Sequence, residues 1–239
     1  MVKAKKSLSQ NFIIDKNICK KIVKQTNINN KIVIEIGPGY GFLTDILLMN
    51  NPKKILLIEK DYQLVLFLKQ KYKNNNKVKI LNNDVIKVDF SKFKNVKIIS
   101  NLPYNISTKI ILYLFNFNKN ISEMVFMIQK EVALKFDYNL IKMNKYKFLT
   151  KIVSKFSRCF DVSPKVFIPR PKVFSSVVKF KFNKKKFDLN KANVFSNLIF
   201  KNVRKKIHNN LRMETESLLL HKRVNQLSID ELLTIYKFF

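Results

Sequence analysis

The stretch VIEIGPGYGFLT, Val33 to Thr44, holds all three glycines of a 239-residue chain, at positions 37, 39 and 41. An apolar run enters the glycines and an amphipathic run leaves them, so the order reads strand, loop, helix. Glycine tolerates positive φ and lets a ligand approach the backbone closely. The helix N-terminus behind it offers free N–H groups. Together these make the nucleotide-binding turn of a doubly wound sheet. The spacing narrows the ligand. A dinucleotide fingerprint needs glycine at position 42, where Phe42 stands, and no G-x-x-x-x-G-K-[ST] occurs, which excludes a P-loop. The plain alternative is an ordinary strand–helix turn, but a chain this poor in glycine argues against it.

Working outward, short apolar runs alternate with amphipathic ones. Strands are expected over 31–36, 54–60, 77–84, 96–101 and 123–129, and helices over 41–50, 62–72 and 106–117. Such alternation predicts an α/β fold with a parallel sheet covered on both faces. RCFDVSPKVFIP and VFSSVVKFKF then read as a hairpin closing the sheet. From Asn183 the pattern becomes polar and helical. A boundary is therefore expected at 182/183, with a small all-helical C-terminal domain over 183–239.

Composition bounds the function. Lys and Arg number 47 against 16 Asp and Glu, a net charge of +31, which suits a polyanionic partner. The bland reading has comparable weight. Only five arginines occur, at 158, 170, 204, 212 and 223, while Lys, Asn, Ile and Phe abound, as an AT-rich genome would favour. Runs such as Lys184-Lys185-Lys186 read as solvated lysines. Cys19 and Cys159 are far apart and His208 and His221 isolated, so neither a metal site nor a disulfide framework is expected. No apolar run reaches transmembrane length and the N-terminus lacks the apolar core of a signal peptide. A cytoplasmic protein is expected, or one of an organelle matrix if the gene is organellar.

The groups at the strand ends carry the chemistry. An E-x-G-x-G-x-G loop after the first strand of the glycine motif is the usual form in S-adenosylmethionine-dependent methyltransferases. Glu59 ends the next strand, where a carboxylate accepts both ribose hydroxyls of a nucleoside. Asp84 ends the third, placed for an adenine amino group of the cofactor. The fourth ends in Asn101-Leu102-Pro103-Tyr104. An adenine exocyclic amine is a poor nucleophile because its lone pair is delocalised into the ring. Acceptors at its hydrogens, the Asn101 side-chain oxygen and the Leu102 carbonyl, draw it toward a tetrahedral form, and Tyr104 stacks on the extruded base. A β-turn explains Pro103 but not its place after the fourth strand.

SLSQNFIID, EIGPGYGFLT, NLPYNIST, MIQKEVA and FIPRPKVFSSVV occur in that order from Ser7 to about Phe180, with a weaker FKNVRKKIHNNL at 200–211. In these motifs the chain resembles the small-subunit ribosomal RNA adenine N6,N6-dimethyltransferases of the KsgA/RsmA type. The resemblance implies a Rossmann-like class I methyltransferase domain over 1–182, S-adenosyl-L-methionine as cofactor, and two methyl groups added to each of two adjacent adenosines in the 3′-terminal hairpin loop. It implies small-subunit rRNA in an assembling 30S particle as partner, with no membrane and no metal. A monomer is expected. Carried over by motif, Asn11 and Ile13 cover the cofactor; Gly37, Glu59, Asp84 and Asn101 line its pocket; and Phe167 sandwiches the target adenine opposite Tyr104. Phe12 is read as a core residue. Four positions depart from the family pattern: Ser9 and Lys147 where glycine is usual, Ile13 for leucine, and Val203 in an expected Arg-Arg pair, which leaves Arg204. The last puts one phosphate contact in doubt, with scattered lysines compensating. The rivals are an Erm-type enzyme acting on large-subunit rRNA, a non-catalytic assembly factor on the same fold, a DNA adenine methyltransferase and a lipid-binding protein.

Overall fold

The computed structural model describes residues 11–183, 187–211 and 218–239. Ser9 and the Lys184–Lys186 run lie outside the described residues. In chain order the elements are β1 (Phe12–Ile13), α1 (Lys16–Val23), β2 (Ile32–Ile36), α2 (Phe42–Met49), β3 (Lys54–Glu59), α3 (Tyr62–Lys71), β4 (Val78–Asn82), β5 (Val96–Asn101), α4 (Ser107–Phe115), β6 (Ile121–Gln129), α5 (Lys130–Phe136), α6 (Lys145–Val153), β7 (Ser154–Val162), β8 (Phe167–Ile168), β9 (Ser175–Phe182), α7 (Leu189–Lys201), α8 (Ile207–Leu211) and α9 (Ile229–Phe238). Each strand and helix expected from β2 to β6 is present, with ends moved by a residue or two.

Seven strands form one sheet in the order β4-β3-β2-β5-β6-β9-β7. The pairs from β4 across to β6 are parallel, and β6 pairs antiparallel with β9. Strands covered on both faces are near-continuous apolar runs, and IVIEI and VKIISN are of that kind. Inside the sheet even polar side chains are buried, Glu35 and Ser100 among them. The expected closing hairpin differs in placement: the later strand, β9, inserts beside β6 and leaves the earlier β7 at the edge. The helices bury residues at three- and four-residue spacing, as with Leu43, Ile46 and Leu47 in α2.

Chain direction reverses its spread at β2, which has β3 on one side and β5 on the other. In open α/β sheets ligands bind outside the carboxyl ends of the strands at such a switch point. Here the opening is visible in the pairing. β2 and β5 stay in register through Val33↔Lys97 and Ile34↔Ile98, and the ladder goes no further. The Ile36 N–H, left without a strand partner on that side, donates instead to the hydroxyl of Ser100 at 2.7 Å. On the other side of β2, the Gly37 N–H donates to the Ile58 carbonyl at 2.8 Å.

The chain divides into two compact units. One comprises the described part of Met1–Ala133 with Ser157–Phe182; the other comprises Leu134–Phe156 with Asn183–Phe239. The sequence reading kept 134–156 with the first unit. Aromatic packing explains the difference: the Phe148 ring of α6 lies 5.1 Å from that of Phe195 in α7 and 5.6 Å from that of Tyr236 in α9. The described part of 183–239 is helical, with one isolated bridge between Lys206 and Arg223. No helix among the described residues is long and apolar enough to cross a membrane.

Replacing Ser100 by alanine strands a buried N–H, which costs about 1–3 kcal/mol. Urea unfolding of Ser100→Ala should show that loss; a midpoint equal to the wild type would mean that Ile36 finds another acceptor.

Candidate active site

The glycine loop leaves β2 with φ of 63° at Gly37, 59° at Gly39 and 77° at Gly41, all left-handed. Left-handed backbone alone does not demand glycine in this chain, because Asn30, Asn51 and Asn95 adopt it elsewhere. Space decides the rest. A Cβ on Gly39 would fall 2.6 Å from Cδ1 of Phe12. One on Gly41 would overlap the Tyr72 hydroxyl. Gly37 differs: a Cβ there meets only Pro103 Cδ, at an ordinary 3.9 Å. The protein has room for a side chain at Gly37, so the space it keeps open suits a ligand.

The loop is braced from α3, which sequence reasoning missed. The Tyr72 hydroxyl lies 3.0 Å from the Gly41 carbonyl and 2.6 Å from Asp45 Oδ1. Lys71 Nζ donates to the Tyr40 carbonyl at 2.9 Å and to Asp45 Oδ2 at 2.7 Å. Burial and the adjacent Asp45 carboxylate push the Tyr72 phenol well above its ordinary value, so it stays protonated.

A cavity opens at the switch point, lined by Gly37, Glu59, Asp84, Asn101, Leu102 and Tyr104 together with Asn11 and Ile13. Eight of the nine residues singled out from sequence thus meet at one place. Glu59 is 6 % exposed. Its carboxylate accepts from the Asp61 N–H at 2.9 Å and the Gly39 N–H at 3.3 Å, a link between the glycine loop and the end of β3. Burial pushes its carboxyl up, against those N–H donors. At Asp84, partial burial opposes ionisation. The Lys60 ammonium at 3.0 Å and the Ile86 N–H at 3.2 Å outweigh it and hold the carboxyl below its usual range. Glu35, inside β2, also reaches the cavity wall. Burial drives its carboxyl up to about 8, while the Thr44 hydroxyl, donating at 2.6 Å, favours the ionised form.

Asn101 closes the set. Its Nδ2 donates to the backbone carbonyl of Asn11 at 2.8 Å. A carbonyl only accepts, so this contact fixes which end of the amide is nitrogen. The other end, Oδ1, is buried and has no hydrogen-bond partner among the described residues. Buried polar atoms are almost always paired, and an exception calls for a functional reason. Next to it, the Leu102 N–H donates to the Met127 carbonyl at 3.1 Å, which holds that peptide on β6.

The two phenylalanines exchange places relative to their sequence readings. Phe12, read as core, is half-buried on the cavity wall, its ring 4.8 Å from that of Tyr40. Phe167, expected across the base from Tyr104, is 2 % exposed and belongs to the core. Its ring meets Tyr104 edge to face, with centroids 6.5 Å apart. Register explains the exchange. β1 and β8 pair Phe12 with Ile168 and Ile13 with Phe167, and paired residues share a face. Ile13 and Phe167 face the core together.

The family model of ribosomal RNA adenine dimethylase matches residues 1–239. The chain belongs to that family. It is 42% identical over 218 residues to the ribosomal RNA small subunit methyltransferase A of Malacoplasma penetrans, an alignment spanning 87% of this chain and 78% of the relative. In fold it is similar to a dimethyladenosine transferase from Plasmodium falciparum, with TM-score 0.79 and 23% identity over 95% of this chain and 98% of the other. The 23S rRNA methyltransferase ErmE is nearly as similar, with TM-score 0.77 and 18% identity over the same shares. Backbone shape alone therefore does not separate this chain from the dimethyladenosine transferase or from ErmE. The enzyme is a ribosomal RNA adenine methyltransferase with S-adenosylmethionine as its cofactor. The site fits that cofactor: Gly37 keeps a side chain's space open, and carboxylates stand at the ends of β3 and β4. Among the described residues no group of three or more His, Cys, Asp or Glu side chains could hold a metal ion.

Glu35 gives a pH signature. Its carboxyl is raised from 4.5 to about 8 on folding, so the folded state binds the extra proton between those values. Its contribution is full below the lower value and is lost as pH rises toward about 8. Stability of the cofactor-free protein should fall over that window, and Glu35→Gln should flatten the fall. Unfolding midpoints against pH read it; equal slopes for both proteins would place the titration elsewhere.

Proposed function

We propose that the chain dimethylates N6 of two adjacent adenosines in the 3′-terminal hairpin loop of small-subunit rRNA. The substrate is an assembling 30S particle, and the enzyme works as a monomer in the cytoplasm or an organelle matrix. The observation that carries the chemical part is the unpartnered, buried Oδ1 of Asn101. An acceptor kept dry and unpaired stabilises a donor that arrives during the reaction, and it acts strongly because water is excluded. The small-subunit assignment rests on the relatives' names and on Leu102 within N-L-P-Y.

S-adenosylmethionine, when bound, supplies an electrophilic methyl on a sulfonium. Gly37 would leave room for it, Glu59 would take its ribose hydroxyls, Asp84 its adenine amine, and Asn11 and Ile13 would cover it. The target adenine leaves its stack and lies against Tyr104. Asn101 Oδ1 and the Leu102 carbonyl accept from its amino group, which localises the nitrogen lone pair for in-line attack. On taking the methyl the amine would give up one proton, which ends in bulk solvent because an amide oxygen is too weak a base to keep it, and S-adenosylhomocysteine would be the leaving group. The second methyl follows by the same geometry. Most of the catalysis is positioning.

Labelled methyl from S-adenosylmethionine, offered to undermethylated small and large subunits, should appear as N6,N6-dimethyladenosine in the small subunit alone. Label in the large subunit would favour the Erm-type reading, and no label in either would favour an assembly factor. Asn101→Ala should lower kcat at least about a hundredfold with RNA binding nearly unchanged; equal turnover would remove Asn101 from the mechanism. Gly37→Asn suits the left-handed backbone and should keep the unfolding midpoint while weakening S-adenosylmethionine binding in calorimetry. Wild-type affinity in that variant would show that the space at Gly37 is not the cofactor's.

A further inference from the structure

We propose that Ser175 is the positioning residue that sets the Tyr104 ring for the target base, acting through a single hydroxyl–hydroxyl bond. This deepens the methyl-transfer reading above and rests on it. Tyr104 stands on the cavity wall in the loop after β5, where a phenol ring has no strand or helix to hold it. Its hydroxyl lies 2.6 Å from Ser175 Oγ. Ser175 is 0 % exposed and opens β9, paired in register with Gln129 at the end of β6. The residue before it is also anchored, since the Phe174 carbonyl accepts from the Lys130 N–H at 3.0 Å. The one after it, Ser176, bonds Asp161 Oδ1 at 2.6 Å, and Asp161 in turn pairs with Lys130 at 2.6 Å. Ser175 therefore sits on a rigid strand end, two neighbours of which are tied to β6, α5 and β7.

The ring is held at two points. Ser175 holds the hydroxyl end, and the buried Phe167 ring meets it edge to face. Two contacts in different directions define the plane of the ring, and plane is what stacking on a base requires. Burial raises the Tyr104 phenol above its ordinary value, so the group remains a neutral hydroxyl able to keep this bond. Without Ser175 the phenol would face the core with no partner, which favours rotation toward water and loss of the stacking plane. A catalytic group is placed precisely when its own rotamer is locked by a supporting contact. The single supporting bond here joins the loop after β5 to the strand inserted at β9, elements far apart in sequence.

A double-mutant cycle on methyl transfer to undermethylated small subunits tests it. Ser175→Ala should lower kcat/KM about tenfold, the value of one ordinary hydrogen bond, with S-adenosylmethionine affinity unchanged. In a Tyr104→Phe background the same substitution should change nothing further. A Ser175 that merely supports packing would cost the same in both backgrounds, and that outcome overturns the proposal. A second readout needs no turnover. With tyrosine labelled at ¹³Cζ, the Tyr104 resonance is assigned by its absence in Tyr104→Phe, and Ser175→Ala should shift it while leaving the other tyrosines in place. An unmoved resonance would mean that the bond does not exist in solution. If wild-type enzyme transferred no methyl yet the resonance moved, the tether would stand and the functional reading would fall.

Discussion

The site depends on one interrupted ladder. Parallel strands β2 and β5 pair as far as Ile34↔Ile98, then part. Had the pairing continued, the loop after β2 and the loop after β5 would lie side by side with no space between them. Parting two central strands exposes backbone donors in the middle of a protein, where an unpaired N–H is costly. Ser100 resolves that by lending its hydroxyl to Ile36. A serine with no exposed surface, in the middle of VKIISN, therefore has a structural reason to be polar. The carboxyl ends of β2 and β5 then open into a crevice that receives the glycine loop from one side and Asn101 from the other.

The glycine loop shows which positions in that crevice are irreplaceable. Among the described residues, asparagine takes the left-handed backbone at 30, 51 and 95. Glycine persists only where a Cβ meets Phe12, meets Tyr72, or would intrude on the space beside Pro103. Two of these three constraints come from contacts within the protein, and the third position, Gly37, borders the cavity. The same economy shows at Lys147, where the resemblance implies glycine. Its chain is 3 % exposed and its ammonium donates to the carbonyls of Leu140 and Lys142, at 3.0 and 2.7 Å. A drift toward lysine is accepted there because nearby carbonyls satisfy the charge. No comparable rescue exists for a side chain at Gly39, which would strike an aromatic ring.

The sheet was legible because buried parallel strands are continuous apolar runs, as IVIEI and VKIISN are. The strand-end groups were legible for a related reason: topology gathers strand ends at one edge, so residues remote in sequence are brought together without any knowledge of contacts. What escaped reading were roles played through the backbone or through register. Nothing in QNFI signals that the Asn11 carbonyl, rather than its side chain, orients Asn101. The exchange of Phe12 and Phe167 has the same origin. Both stand in a Phe-Ile pair, and the two segments pair with each other, so only the register says which ring faces the cavity. A shift of one residue would pair Phe12 with Phe167 and put both rings on one face. The grouping of 134–156 with the C-terminal helices was hidden likewise, because Phe148 meets Phe195 and Tyr236 only in three dimensions.

Asn101 joins these levels in one side chain. In the proposed mechanism its amide presents an acceptor to the substrate, yet an amide in a crevice can flip and present its donor end instead. The two-residue strand β1 prevents the flip by placing a carbonyl against Nδ2, and β1 itself is held by pairing with β8 and by the Ile14 N–H on the Val166 carbonyl at 3.0 Å. β8 carries Phe167, which backs the Tyr104 ring. The short β1–β8 sheet thus supports both groups assigned to the base, the acceptor through backbone and the stacking ring through an edge contact. In the proposed mechanism, covering the cofactor and preparing the acceptor are one structural event, because the segment that contributes Asn11 and Ile13 to the cavity wall is also the segment that orients the amide.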